Sequence, residues 1–245
     1  MMKILFAALL TALAMASNAG PVEEALSAPD RLPADLERDA RSHPADILPL
    51  LAIGPGSRVA DIFGGGGYYS ELIGRLVSPG GEVLLHNNAA YLQYVDEALA
   101  ARLDQRDVPA VTPYEREVDQ LDLGEGTLDA ALIIMSYHDL YFIDNDWPTI
   151  DAGAFMGQIV TALKPGGRLL IVDHSAAAGS GTSVAQTLHR IEEAEARRQI
   201  EGFGLNYLTG SDALRNAEDD LTLNVFDEAI AGKTDRFVLV FEKPG

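Results

Sequence analysis

Apolar residues along this chain fall into two kinds of run. Residues 58–62 (RVADI), 82–86 (EVLLH), 128–135 (LDAALIIM) and 168–173 (RLLIVD) are short and nearly continuous, without the apolar–polar alternation of a half-exposed strand. Strands buried on both faces of a parallel sheet read this way. Between them the spacing changes. Leu72, Ile73, Leu76 and Val77, then Leu92, Val95, Leu99 and Leu103, then Phe155, Ile159 and Leu163 recur every three or four residues. That is the period of helices with one apolar face. A weaker strand is expected at 108–111, short helices at 35–42 and after Pro44, and one charged helix over 184–201, closed by Gly202. Two strand-like runs, 221–226 and 236–242, end the chain. Strands alternating with helices predict an α/β doubly wound, Rossmann-like sheet, mostly parallel with an antiparallel C-terminal strand and helices on both faces. Right-handed crossovers bring the C-terminal ends of the parallel strands to one edge.

The stretch at 58–70, RVADIFGGGGYYS, sets that edge. An apolar strand ends near Asp61, Gly64, Gly65, Gly66 and Gly67 form a tight turn, and a helix follows at once. Glycines let a ligand approach the backbone, and the free N–H groups of a helix start attract acceptors or negative charge. The turn is not the Gly-x-Gly-x-x-Gly dinucleotide fingerprint, since the sixth position counted from Gly64 is Tyr69.

Composition narrows the partners. The 245 residues carry a net charge of −19, which excludes a nucleic-acid-binding surface of the usual basic kind. The N-terminus has one lysine, an apolar run ILFAALLTALAM and then small residues, the pattern of a signal peptide over 1–19 with cleavage after Ala16 or Ala19. Past it no apolar run is long enough to span a bilayer, so the mature chain is expected off the membrane, periplasmic or secreted by the general route. Residues 20–52 read as an N-terminal arm with helices, and 53–245 as the main domain. No cysteine is present. Histidines and acids show no short metal-ligand spacing, so no metal is expected from the sequence.

Three stretches in order resemble the class I S-adenosylmethionine-dependent methyltransferases: the acid-then-glycine turn, Thr127-Leu128-Asp129 before an apolar strand, and Leu163-Lys164-Pro165-Gly166-Gly167 before the next. GGGGYYSE, SYHDLYF and VDHSAAAGSG further resemble a group of predicted exported bacterial methyltransferases. The resemblance covers nearly all of the mature chain. It implies S-adenosylmethionine as cofactor and methyl transfer to a small molecule. It also implies that Asp61 holds the methionine amino group, or else caps the glycine loop. Phe63 stands in the first glycine place. Asn87 stands where the family has an acid for the ribose hydroxyls, with a helix cap as its other reading, and Asp119 near the adenine amino group, with a solvated loop carboxylate as its other reading.

The segment 136–141, SYHDLY, follows an apolar strand on the ligand edge. His138, ordinarily titrating near neutrality, is the first candidate base, with Asp139 or a tyrosine to orient it, and His174 is the second. His189 and Arg190 are candidates for an anionic substrate group. Tyr68 and Tyr69 cover a cofactor or simply pack, and Arg215, Lys233 and Arg236 read as solvated or surface-paired. The replaced glycine and the missing acid keep a second function open, a non-catalytic exported binding protein with the same fold.

Overall fold

The structure, a computed structural model, describes residues 20–245; the expected signal segment 1–19 lies outside them. An arm comes first: α1 (Pro21–Leu26), α2 (Pro33–Ser42) and α3 (Pro44–Ile47), the last continued by a single turn at Leu48–Leu51. Each of the three helices opens with a proline, which lacks the N–H that a first turn would leave unpaired. Then β1 (Arg58–Ile62), α4 (Tyr68–Val77), β2 (Glu82–Asn87), α5 (Ala89–Leu103), β3 (Val111–Glu115) and β4 (Leu128–Ile134) alternate. A helical turn at His138–Tyr141 leads to α6 (Ala152–Ala162) and β5 (Leu163–His174). The chain closes with α7 (Ala185–Leu188), α8 (Glu193–Gly202), β6 (Asn206–Ser211) and β7 (Arg236–Glu242).

The seven strands form one sheet in the order β3-β2-β1-β4-β5-β7-β6. All neighbouring pairs are parallel except those made by β7, which runs antiparallel to β5 and to β6. Both faces are covered, as the unbroken apolar runs require. One face sets Ile62, Ala131, Ile133 and Ile171 against Phe155 and Ile159 of α6 and Ile200 of α8. The other sets Val59, Leu132, Leu170 and Val172 against Leu72, Ile73 and Leu76 of α4, with Leu48 and Leu51. Each such side chain contributes about 1.5–3 kcal/mol by leaving water. No described helix is long and apolar enough to cross a membrane.

The weak strand expected at 108–111 lies at Val111–Glu115 instead, two further expectations fail and one strand is unforeseen, because tertiary contacts or local side-chain bonds win over the pattern. The helix expected over 184–201 is broken at His189, whose backbone is left-handed at φ 53°. Beyond it Ile191 bridges to Ser175, and Arg190 is fully buried with its guanidinium on Asp219 at 2.9 and 3.1 Å. The run 221–226 is not a strand. Asp219, Asp220 and Asn224 accept from the backbone two residues on, at Leu221, Thr222 and Phe226, and hold the segment in turns. The edge strand β6 instead comes from Asn206–Ser211, whose mostly polar sequence carries no strand period and which forms by pairing with β7.

Candidate functional site

The strand order reverses between β1 and β4, and the turns that follow β1, β4 and β5 meet beyond that point. Together with α2 and the loop before β7 they line a cavity of about 930 Å³. An open α/β sheet binds its ligands in this crevice. Gly67 caps α4 at φ 79°, and a Cβ there would sit 2.6 Å from Leu85 Cδ1, so only glycine fits. A Cβ on Gly64 would lie 2.8 Å from Asp61 Cγ, so this glycine lets the loop ride over the carboxylate. Phe63 adopts the left-handed conformation at φ 53° despite its side chain. Its ring is held by Phe155, stacked at 5.5 Å, by Tyr91 at 5.7 Å and by Trp147 at 5.5 Å.

Two side chains from the end of β2 fasten this loop from below. Asn87 Oδ1 accepts from the Gly65 N–H and its Nδ2 donates to the Gly65 carbonyl, each at 3.0 Å. His86 Nδ1 takes the Phe63 N–H at 3.3 Å while Nε2 meets the Arg116 carbonyl at 3.0 Å. That pairing requires the neutral ring with its proton on Nε2. Burial keeps it neutral by pulling its pKa down to about 4.

Asp61 is 2% exposed and accepts from Ser70 Oγ at 2.6 Å, with the backbone N–H of Ser70 also turned to its carboxylate. Burial raises its pKa to about 6, against the Ser70 bond and the nearby Arg38 charge. Arg38, Arg41 and Arg236 line the same cavity. Arg236 is 8% exposed, donates to the Arg41 carbonyl and leaves Nε without a partner among the described residues. The other buried arginines, Arg31, Arg102 and Arg190, all have carboxylates. Arg38 lies over the Tyr68 ring at 4.3 Å. The cavity thus carries three arginines together with Asp61, Asp139, Asp144 and Asp146.

The cavity also carries histidines. His138 is 3% exposed; Asp173 accepts from its backbone N–H at 2.8 Å and meets its Nδ1 at 2.7 Å. Its Nε2 stands 3.2 Å from Asp139 Oδ1, and His189 Nδ1 stands 3.8 Å from that same oxygen. Burial disfavours charge on His138, but Asp173 and Asp139 outweigh it and raise the pKa to about 10. Asp139 falls to about 2, with burial opposed by His138 and His189. His174 meets Thr234 Oγ1 at 2.7 Å and is pushed down to about 3, chiefly by burial.

No family model matches the chain. The chain is 29% identical over 139 residues to the ubiquinone/menaquinone biosynthesis C-methyltransferase UbiE of Pseudomonas paraeruginosa, a match covering 56% of this chain and 50% of that protein. It thus spans about half the length of the curated relative. Among solved structures, a SAM-dependent methyltransferase from Aquifex aeolicus superposes with a TM-score of 0.58 at 16% identity, over 84% of this chain and 92% of that one. A possible exported protein from Bordetella parapertussis superposes at 0.54 and 18% identity, over 88% of this chain and 71% of that one. The chain has the class I methyltransferase fold.

Seen as a methyltransferase fold, the site departs from sequence expectation at several points. Asn87 is 2% exposed and spends both ends of its amide on Gly65, so it neither faces the cavity nor caps a helix. The cap of α5 is Asn88, which accepts from the Tyr91 N–H at 2.8 Å. Asp119 is exposed in a turn after β3 and does not line the cavity. His138, bracketed by two carboxylates, is not a base poised near neutrality. Arg190 is sealed against Asp219 and reaches no substrate, whereas Arg236, expected in solvent, is buried at the cavity wall. Tyr68 and Tyr69 hold the arm down, donating to Asp39 at 2.6 Å and to the Ser42 carbonyl at 3.1 Å. Asp61, Phe63, Gly64, Gly65, Gly66, His138, Asp139 and His174 all border the cavity. His189, the candidate for a substrate group, also lines the cavity, although the helix expected to carry it is broken there.

The Asn87 clamp makes a prediction opposite to the one that family resemblance suggests. Asn87→Asp restores an acid at the end of β2, yet a carboxylate cannot donate to the Gly65 carbonyl and would face it directly. The substitution is expected to cost about 1–3 kcal/mol of stability at pH 7. Urea denaturation reads this, and a gain in stability would overturn the clamp.

Proposed function

We propose that the protein is an S-adenosylmethionine-dependent methyltransferase acting on a small-molecule acceptor. The observation that carries the reading is Asp61, a buried carboxylate at the foot of the glycine turn that lines the cavity with no cationic side chain bonded to it among the described residues. An ammonium group suits that carboxylate, and Arg38 and Arg41, which line the same cavity, suit a carboxylate, so the site complements an amino-acid zwitterion. The half-buried rings of Tyr91 and Trp147, backed by the buried Phe63, give the cavity an aromatic side that suits a planar base. Bound there, S-adenosylmethionine would supply an electrophilic sulfonium methyl. The protein's part is to align an acceptor and exclude water, since in-line methyl displacement depends mainly on position. The kinship to a C-methyltransferase and the fold support the chemistry without naming the acceptor. The N-terminal pattern supports export, which cell fractionation checks.

Isothermal titration of the purified protein with S-adenosylmethionine and S-adenosylhomocysteine is expected to give saturable one-to-one binding. Absence of binding at millimolar donor would reject the enzyme and leave the non-catalytic binding protein.

A further inference from the structure

Three donor atoms from two distant stretches of the chain converge on the cavity wall: His138 Nε2, Asp139 Oδ1 and His189 Nδ1, all within 4.8 Å of one another. The spacings from Asp139 Oδ1 are 3.2 Å to His138 and 3.8 Å to His189. Ligands bound at about 2.0–2.2 Å around one ion stand roughly 3–3.6 Å apart, so a small inward shift would bring the three into coordination. We propose that His138, Asp139 and His189 form a binding site for a divalent first-row transition metal ion.

The surroundings are those of a metal site rather than a chance ion pair. Asp173, fully buried, takes both the backbone N–H of His138 and its Nδ1, at 2.8 and 2.7 Å. A carboxylate on one imidazole nitrogen fixes the ring with its proton on Nδ1, and binding of the ion releases the Nε2 proton to solvent and leaves that nitrogen as a ligand. His189 is held by its left-handed backbone at φ 53° and by Phe142 and Phe226, whose rings lie 4.7 and 5.0 Å from its own. Its nitrogen is therefore aimed before any ion arrives. Two imidazoles and a carboxylate suit zinc, iron(II), manganese or nickel, while magnesium and calcium prefer oxygen donors throughout. All three residues line the cavity. There an acceptor's oxygen or sulfur could bind the ion and lose its proton to solvent more easily. That consequence rests on the methyltransferase reading; the binding of the ion does not.

The test uses tag-free protein, stripped with a chelator and titrated separately with zinc chloride and manganese chloride by calorimetry, with metal content read by mass spectrometry. One equivalent of ion is expected. His189→Ala and Asp139→Asn should each weaken binding at least tenfold, and Asp173→Asn by about 10–100-fold. Circular dichroism confirms that each variant is folded. Absent binding, or binding unaltered in the His189 and Asp139 variants, would reduce the cluster to an ion pair and overturn the proposal. Donor titration in the presence of chelator keeps the two readings apart: donor bound without metal removes the ion alone, and metal bound without donor removes the methyltransferase alone.

Discussion

Asp61→Asn is expected to weaken S-adenosylmethionine binding by about 10–200-fold at pH 7.5, the range of a lost charge-assisted hydrogen bond of roughly 1.5–3 kcal/mol. The substitution keeps the shape of the side chain and an oxygen for Ser70 Oγ, which now donates at 2.6 Å, but removes the charge an ammonium group needs. The pH dependence separates charge from shape. Burial raises the Asp61 pKa to about 6, so the carboxylate is mostly protonated at pH 5 and mostly ionised at pH 7. Affinity in the native protein should rise with pH by up to about tenfold per unit below that pKa and level off above it. The asparagine variant should show none of this rise. Stability moves the other way. A carboxyl whose folded pKa lies above its value of 3.8 in the unfolded chain loses stability as pH rises through that window, roughly 2–3 kcal/mol by pH 7. The variant should thus be at least as stable as the native protein at pH 7 while binding far worse. Unchanged affinity in calorimetry would remove Asp61 from the donor site.

The parts that sequence foretells are those in which one residue's type is enough. Val59, Ile62, Leu132 and Ile171 are buried because their runs are nearly continuously apolar, and the sheet follows. Asp61 is legible because it ends a strand and the glycines after it have a single geometric use. Asn87 and His138 are legible in position but not in role. What each does depends on a partner elsewhere in the chain: the Gly65 backbone in one case, Asp173 and Asp139 in the other. Asp173 lies next to the candidate His174 and its own role is invisible until the end of β5 comes alongside the turn after β4. His189 and Arg236 are hidden more deeply. The first sits in what reads as unbroken helix, the second in a tail of acids, and only packing turns each toward the cavity.

Glu71→Gln is expected to destabilise the protein by about 3–5 kcal/mol at pH 7, the usual cost of breaking one side of a buried ion cluster. The Glu71 carboxylate, 1% exposed, is shared by three arginines. Arg75 reaches Oε1 at 2.9 Å, Arg106 reaches both oxygens at 2.7 and 2.6 Å, and Arg102 donates to Oε2. An amide would leave those guanidiniums facing one another with a single acceptor oxygen. The dependence on pH has a definite sign. Burial works against the Glu71 charge, but the arginines win and lower its pKa from 4.5 to about 2. Its contribution is therefore complete above about pH 5 and fades as pH falls toward 2, so the native protein and the Glu71→Gln variant should converge in stability in acid. The cluster also reaches the site. Arg102 holds Asp35 of α2 at 2.6 and 3.0 Å and donates to the Gly66 carbonyl in the glycine turn. The helix that presents Arg38 and Arg41 is thus tied through one guanidinium to the loop over Asp61. Loosening Glu71 should weaken donor binding without any contact to the donor. Urea denaturation from pH 3 to pH 8, paired with donor titration at pH 7.5, checks both effects. A variant as stable as the native chain at pH 7 would show that the cluster contributes no more than a surface pair.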